Sequence, residues 1–262
     1  ALVAIVSGRA MKDQRGTWPQ AIASVVGSIG LILALRWIAF EPYVIPSGSM
    51  WPTLRELDFI LVNKFAYGVR WPLSSEWIHQ REQGPQRCDI VVFHSPQNED
   101  TFMIKRVIAL PGESVEVLRS GRVRIDGRDL PWRRATEDEN RELGVELSAQ
   151  DEQRWREGCR AEDETSLDEM GSWHWVQTSP LDEGEVEDPV DWSHEVPEGH
   201  LVLLGDNRHR SADSRTWGSL PATEILGRAS WIWLSCNESW PELPRVCRPN
   251  AIRWSRMGRV LR

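Results

Sequence analysis

Residues 21–40 read AIASVVGSIGLILALRWIAF, twenty residues with a single charge, Arg36, near one end. That length matches the ~20 residues a helix needs to cross the hydrocarbon core of a bilayer, so these residues predict a transmembrane helix. Trp18 and Trp37 stand near the two interfaces, where indole is favoured, and Arg36 can reach outward along its aliphatic stem. Arg9, Lys12 and Arg15 precede the span against one acid, Asp13. The positive-inside rule therefore puts residues 1–20 in the cytoplasm and everything after residue 40 on the far side. A cleaved leader would show a shorter apolar core and a small-x-small site, whereas RWIAFEPYV supplies large residues. Residues 1–6, ALVAIV, read as the remnant of an earlier apolar segment, a candidate first transmembrane helix.

Beyond residue 40 the pattern changes to short apolar runs with period-two alternation. DFILVNKFAYG, DIVVFHS, FMIKRVIALPGE, SVEVL, RVRIDG, HLVLLGDN and GRASWIWLS all read as strands, separated by Gly-Pro, Pro-Gly and Asp-Gly turn signals. The expected fold is mainly β: an antiparallel β body formed by residues 41–132 and 199–262, behind an N-terminal transmembrane helix. Residues 133–198 are poor in strand signals and hold one weak, charge-rich helix candidate near 136–157. They read as an inserted, smaller second domain or excursion.

Charge divides the chain in the same way. From Glu137 to Glu198 there are 21 acidic residues against 4 arginines, while the rest carries 18 acids and 27 bases, giving −8 in all. A basic body with one acidic insertion suits an anionic membrane surface. Nucleic acid is not indicated, because no basic run is interleaved with aromatics. Fifteen tryptophans against two tyrosines is a further skew, and those in strand-like runs, such as Trp231 and Trp233, are expected partly in the core. Cys88, Cys159, Cys236 and Cys247 contain no C-x-x-C pair, so neither a zinc site nor any other metal or cofactor is expected. Cys236 and Cys247 bracket a short Pro-rich loop, and the spacing leaves open whether they pair or all four stand as small apolar residues.

Three clusters could carry chemistry. In IPSGSMWPTL a glycine between two serines allows a tight turn with exposed hydroxyls, and Pro46 stiffens the entry. Ser49 lies nine residues past the apolar span, within ~30 Å of it even fully extended. In FMIKRVIALPGE, Lys105 and Arg106 interrupt an apolar strand and must point to opposite faces. Arginine stays protonated, whereas a lysine in apolar surroundings loses affinity for its proton and becomes a usable base. In GDNRHRSADSRTWGSLP, alternating Asp206, Arg208, Asp213 and Arg215 can build a rigid polar scaffold beside Ser211. The six histidines, His79, His94, His174, His194, His200 and His209, fall in no triad or metal-ligand spacing.

These clusters, in this order behind a membrane anchor, resemble bacterial signal peptidase I, the Ser–Lys dyad serine proteases. The resemblance covers most of residues 44–131 and 198–235. It implies a membrane-bound serine endopeptidase that cuts signal peptides from exported preproteins after small-x-small ends, on the periplasmic side of the bacterial inner membrane and as a monomer. By motif position it implies Ser49 as nucleophile and Lys105 as general base. Ser47 and the Ser49 amide would hold the oxyanion, with Ser211, Asp213 and Arg215 in support and Ile45 and Ile104 lining the pocket. The chain departs from the pattern at His209 and Arg210, where an acid or amide is usual, at Cys88, where glycine is common, and at Met103, often aromatic. Two other readings are a self-cleaving Ser–Lys protease of the same fold and a non-enzymatic, Trp-rich periplasmic binding module.

Overall fold

The structure is a computed structural model, described here for residues 22–28, 30, 39–70, 77–142, 153–159, 173–178 and 190–261. The chain forms two compact units, residues 1–39 and residues 40–262. Residues 22–28 are helical. Most of the span expected at 21–40 lies outside the described residues, among which no helix is long and apolar enough to cross a membrane. The span was expected to run through residue 40, but Phe40 already opens a strand.

In chain order the strands are β1 Phe40–Val44, β2 Asp58–Asn63, β3 Gly68–Arg70, β4 Trp77–Gln80, β5 Ile90–Ser95, β6 Asn98–Ala109, β7 Ser114–Leu118, β8 Val123–Ile125 and β9 Arg128–Asp129. They continue as β10 Trp132–Arg134, β11 Gln153–Gly158, β12 Trp173–Thr178, β13 Val190–Glu195, β14 His200–Leu204, β15 Leu220–Pro221, β16 Ile225–Ser235, β17 Ser239–Trp240 and β18 Leu243–Cys247. The fold is thus mainly antiparallel β, and each of the seven runs read as strands contains one. The largest sheet has the order β1-β2-β16-β5-β6-β14-β15 and is flanked by a sheet β13-β7-β8-β9. β2 is buried along nearly its whole length, which is why DFILVN reads as an unbroken apolar run rather than an alternating one. β6 changes character midway: its first five residues are exposed and its last five buried.

Residues 133–198 contain more strand than their composition suggests. Of the helix expected across 136–157, the described residues show Glu137–Glu142 as helix and Gln153–Gly158 as a strand, and residues 143–152 lie outside the described residues. The helix opens on a capping box in which Glu139 N–H donates to Thr136 Oγ1 and Thr136 N–H donates back to the Glu139 carboxylate. β11 then lies between β10 and β12 in a separate three-stranded sheet. Its stabilising contacts are aromatic and cationic: Trp132 stacks on Trp155, Arg133 lies over Trp173, and Arg156 over Trp175. An Arg/Trp surface of this kind has no apolar period, so the usual strand signal is missing. β13 belongs to the same segment but pairs with β7.

The tryptophans also differ from expectation. None of the tryptophans whose burial is described is fully buried, Trp233 is 37% exposed and Trp254 is 71% exposed. The core is mostly aliphatic instead, with Met50, Leu54 and Ile60 in one cluster, Val115, Val117 and Val202 in a second, and Val91, Phe93 and Leu203 in a third, and with Trp192 and Trp217 packed partly buried against the second and third.

Both cysteine pairs are joined, Cys236 to Cys247 across the β17–β18 hairpin and Cys88 to Cys159 over 71 residues of sequence. Cys88 has φ +72°, in the left-handed region that favours glycine. Here the position carries a side chain and uses it as a crosslink.

A buried carboxylate ties the C-terminal segment to the body. Asp58 accepts from Arg256 Nη2 at 2.5 Å, from Ser235 Oγ at 2.6 Å and from the Arg55 amide at 2.9 Å. Asp58→Ala would leave the Arg256 guanidinium buried without its counter-charge, which should cost about 3–5 kcal/mol. Ser235→Ala, which removes one neutral donor, should cost about 1 kcal/mol. Urea unfolding of the two variants checks both the size and the order of these losses.

Candidate active site

The β1–β2 connection carries the two serines. Ile45 N–H donates to the Asp58 carbonyl and Leu57 N–H returns to the Ile45 carbonyl, which closes the loop at its base. Met50 and Leu54, both 0% exposed, are sunk into the core below the 3₁₀ turn Gly48–Met50. With these anchors buried, Ser47 and Ser49 are left facing outward on a turn that cannot rotate freely.

Lys105 reaches this turn from β6, at the point where the strand passes from partly exposed to buried. Its Nζ donates to Ser49 Oγ at 2.7 Å and to the Ile104 carbonyl at 3.0 Å. Lys105 is 3% exposed, and burial pushes its pKa down to about 8, although Asp213 and Asp206 pull the other way. A substantial share of this amine is therefore neutral near physiological pH, with its lone pair available to a proton on the neighbouring hydroxyl.

Arg106 faces the opposite side of β6, as the alternation predicts. It makes a bidentate ion pair with Asp206, at 2.8 Å from Nε and 2.7 Å from Nη2, and donates Nη1 to the Cys88 carbonyl at 2.7 Å. Thr53 Oγ1 donates to the same Asp206 at 2.5 Å. The fully buried pair thus connects the lysine strand, the serine loop and the segment after β14.

That segment supplies the third side. Asn207 N–H donates to the Ser49 carbonyl at 3.0 Å and Asn207 Nδ2 to the Gly48 carbonyl at 3.1 Å. Asp213 accepts from the Gly205 amide and from Arg215 Nε and Nη2. Burial works to raise the Asp213 pKa, but Arg215 and the Gly205 amide outweigh it and hold the carboxyl below its ordinary value. Ser211 packs against Gly205, and its hydroxyl makes no hydrogen bond to Lys105 among the described residues. A Cβ at position 205 would collide with Ser211 Oγ and the Ser49 carbonyl, so glycine is required there by close approach.

Behind this loop Arg208, 1% exposed, is bound by both oxygens of Glu157 from β11, and His174 Nε2 lies 3.0 Å from the same carboxylate. Burial alone would raise the Glu157 pKa, but Arg208 and His174 hold it down at about 2. Cys88, Cys159 and His174 form a buried cluster within 4.8 Å, its two sulfurs joined to each other.

A cleft of about 560 Å³ opens over the Ser49–Lys105 contact, lined by Ser47, Gly48, Ser49, Trp51, Glu56, Met103, Lys105, Gln177, Asn207, Arg210 and Ala212. No histidine is among them. The expected pocket residues sit elsewhere: Ile45 is 2% exposed in the core, and Ile104 packs partly buried against the same cluster. Asn207 was legible only as part of the GDN run, whereas Gln177 comes from β12, where nothing in the sequence pointed to the site.

The family model described as "Signal peptidase, peptidase S26" matches residues 18–234. Signal peptidase I of Pseudomonas aeruginosa is 33% identical over 238 residues, covering 87% of this chain and 74% of that one. The Pseudomonas fluorescens enzyme is 34% identical over 88% and 75%, and that of Haemophilus influenzae 30% identical over 85% and 71%, respectively.

Two measurements check the site itself. The Lys105 ammonium, followed by ¹⁵N NMR, should titrate near pH 8 rather than near its ordinary 10.5. Asp213→Asn should lower that midpoint further, since the carboxylate favours the charged amine. Gly205→Ala should lower stability by about 1–3 kcal/mol in urea unfolding, because both collision partners are held in place.

Proposed function

The chain belongs to the signal peptidase S26 family, and from that premise we propose that Ser49 and Lys105 are the catalytic dyad of its serine endopeptidase activity, which removes signal peptides from exported preproteins. The observation that carries this assignment is the 2.7 Å contact between Ser49 Oγ and a buried lysine.

The chemistry follows from the groups present. Neutral Lys105 takes the Ser49 proton as Oγ attacks the carbonyl carbon of the residue before the cut. The C–O bond forms, and the negative charge moves to the carbonyl oxygen. The Ser49 amide and the exposed Ser47 hydroxyl are the donors assigned to that oxyanion. Protonated Lys105 then delivers its proton to the departing amine, and the C–N bond breaks to leave an acyl-enzyme. Water, deprotonated by the same lysine, attacks the ester; the C–Oγ bond breaks, Lys105 returns the proton to Ser49 Oγ, and the signal peptide leaves with a new carboxyl end. One group can serve as base, then acid, then base again because its pKa lies close to the working pH.

Around the dyad, Asp213 and Arg215 shape the field at Lys105, and Ser211 packs against Gly205 beside them. Met103 and Ala212 supply apolar surface to the cleft. A transmembrane helix that ends before the strand opening at Phe40 would hold the β catalytic domain on the periplasmic face of the inner membrane, with residues 1–20 in the cytoplasm. Residues 133–198 act as a smaller second domain whose strands buttress the catalytic loop. The working unit of this reading is a monomer.

Ser49→Ala and Lys105→Ala should each abolish cleavage of a preprotein in detergent, and retained turnover in either variant would disprove the dyad. For the unaltered chain, kcat/KM should rise through about pH 8 as Lys105 loses its proton. Below that it should fall roughly tenfold per pH unit. A flat acid limb down to pH 6 would exclude Lys105 as the base.

A further inference from the structure

Part of the cleft wall is charged, although the residues before the cut need only small apolar surroundings. The Trp51 indole N–H donates to Glu56 Oε2 at 2.9 Å, and the Arg55 guanidinium lies over the Trp51 ring, 4.7 Å from its centroid. These contacts hold the carboxylate against the serine turn. A Cβ added to Gly48 would stand 2.8 Å from Glu56 Oε1 and 3.1 Å from the indole. Glu56 is exposed and lines the same cleft as Ser47, Ser49 and Lys105. An anchored carboxylate, with Oε1 turned to the backbone of the nucleophile loop, therefore faces any peptide that occupies the cleft.

A carboxylate in that position discriminates by charge. A small-x-small end leaves no charge at its two small positions, whereas the residues after the cut are free to carry one. We propose that Glu56 is a specificity-determining residue, which favours lysine or arginine among the first residues after the cut and disfavours aspartate or glutamate there. Arg210 lines the same cleft, so the preference is positional, each charge acting on the substrate residue nearest to it. This inference rests on the endopeptidase reading above.

The test uses the full chain in detergent and peptides with one common small-x-small end. Lysine, alanine or glutamate is placed in turn at each of the first three positions after the cut, and kcat/KM is measured for each. At one position or more the unaltered chain should prefer lysine over glutamate by about 3–10-fold at low salt, the range for a half-exposed charge pair. The preference should shrink at ionic strength on the order of 0.5 M, where screening is short-ranged. Glu56→Gln should bring the ratio close to one and Glu56→Lys should reverse it. Trp51→Phe, which keeps the ring and loses the N–H, should give an intermediate ratio. Each ratio is internal to one variant, so partial loss of folded protein cancels. A lysine-to-glutamate ratio that is the same in the unaltered chain and in Glu56→Gln at all three positions overturns the proposal. Failure of the unaltered chain to cut any of the peptides would overturn the endopeptidase reading instead.

Discussion

A lysine is useful as a base near neutral pH only while its ammonium is kept out of water, and the body of this protein is arranged around that requirement. Lys105 is 3% exposed at the point where β6 turns inward. Removing a cation from solvent costs several kcal/mol, and the neutral amine avoids that cost. Two ion pairs set how far the shift goes. Asp206 is bound by Arg106 and Asp213 by Arg215, so each carboxylate that would restore the lysine's charge is partly neutralised by a guanidinium. The result is an amine near pKa 8, low enough to serve as a base and high enough to return its proton.

The same two ion pairs also provide geometry. Arg106 reaches the Cys88 carbonyl, Asp206 receives Thr53, and Asn207 binds the backbone of Gly48 and Ser49. Three remote stretches are thereby locked at the distance the proton transfer needs. The strands of residues 133–198 reinforce this from outside through Glu157 on Arg208, the Gln177 amide on the Asp206 carbonyl, and the Cys88–Cys159 bridge. An acidic excursion by composition is, in contact terms, a brace for the loop that holds the nucleophile.

Much of this was legible from residue order alone. The seven apolar runs gave strands because alternating burial leaves a period in the sequence, and β2 was readable because burial on both faces leaves an unbroken one. Lys105 and Arg106 had to diverge on any strand, and they do. The strands β11 and β12 escaped notice because they are held by Arg/Trp stacking, which has no hydrophobic period. The tryptophans misled for the related reason that a ring half in water packs well without belonging to the core.

The sequence by itself determined the antiparallel β character, the candidate serine and lysine and their membership of one family of motifs, because strand period and residue chemistry are local properties. Tertiary structure alone decided that Lys105 is buried and that its amine meets Ser49. It also decided that Cys88 pairs with Cys159, that Ile45 lies in the core and not in the cleft, and that Glu56 is held beside the nucleophile. Each of those facts depends on what a distant segment brings alongside, and desolvation or a charged neighbour leaves no mark in the residues it acts on.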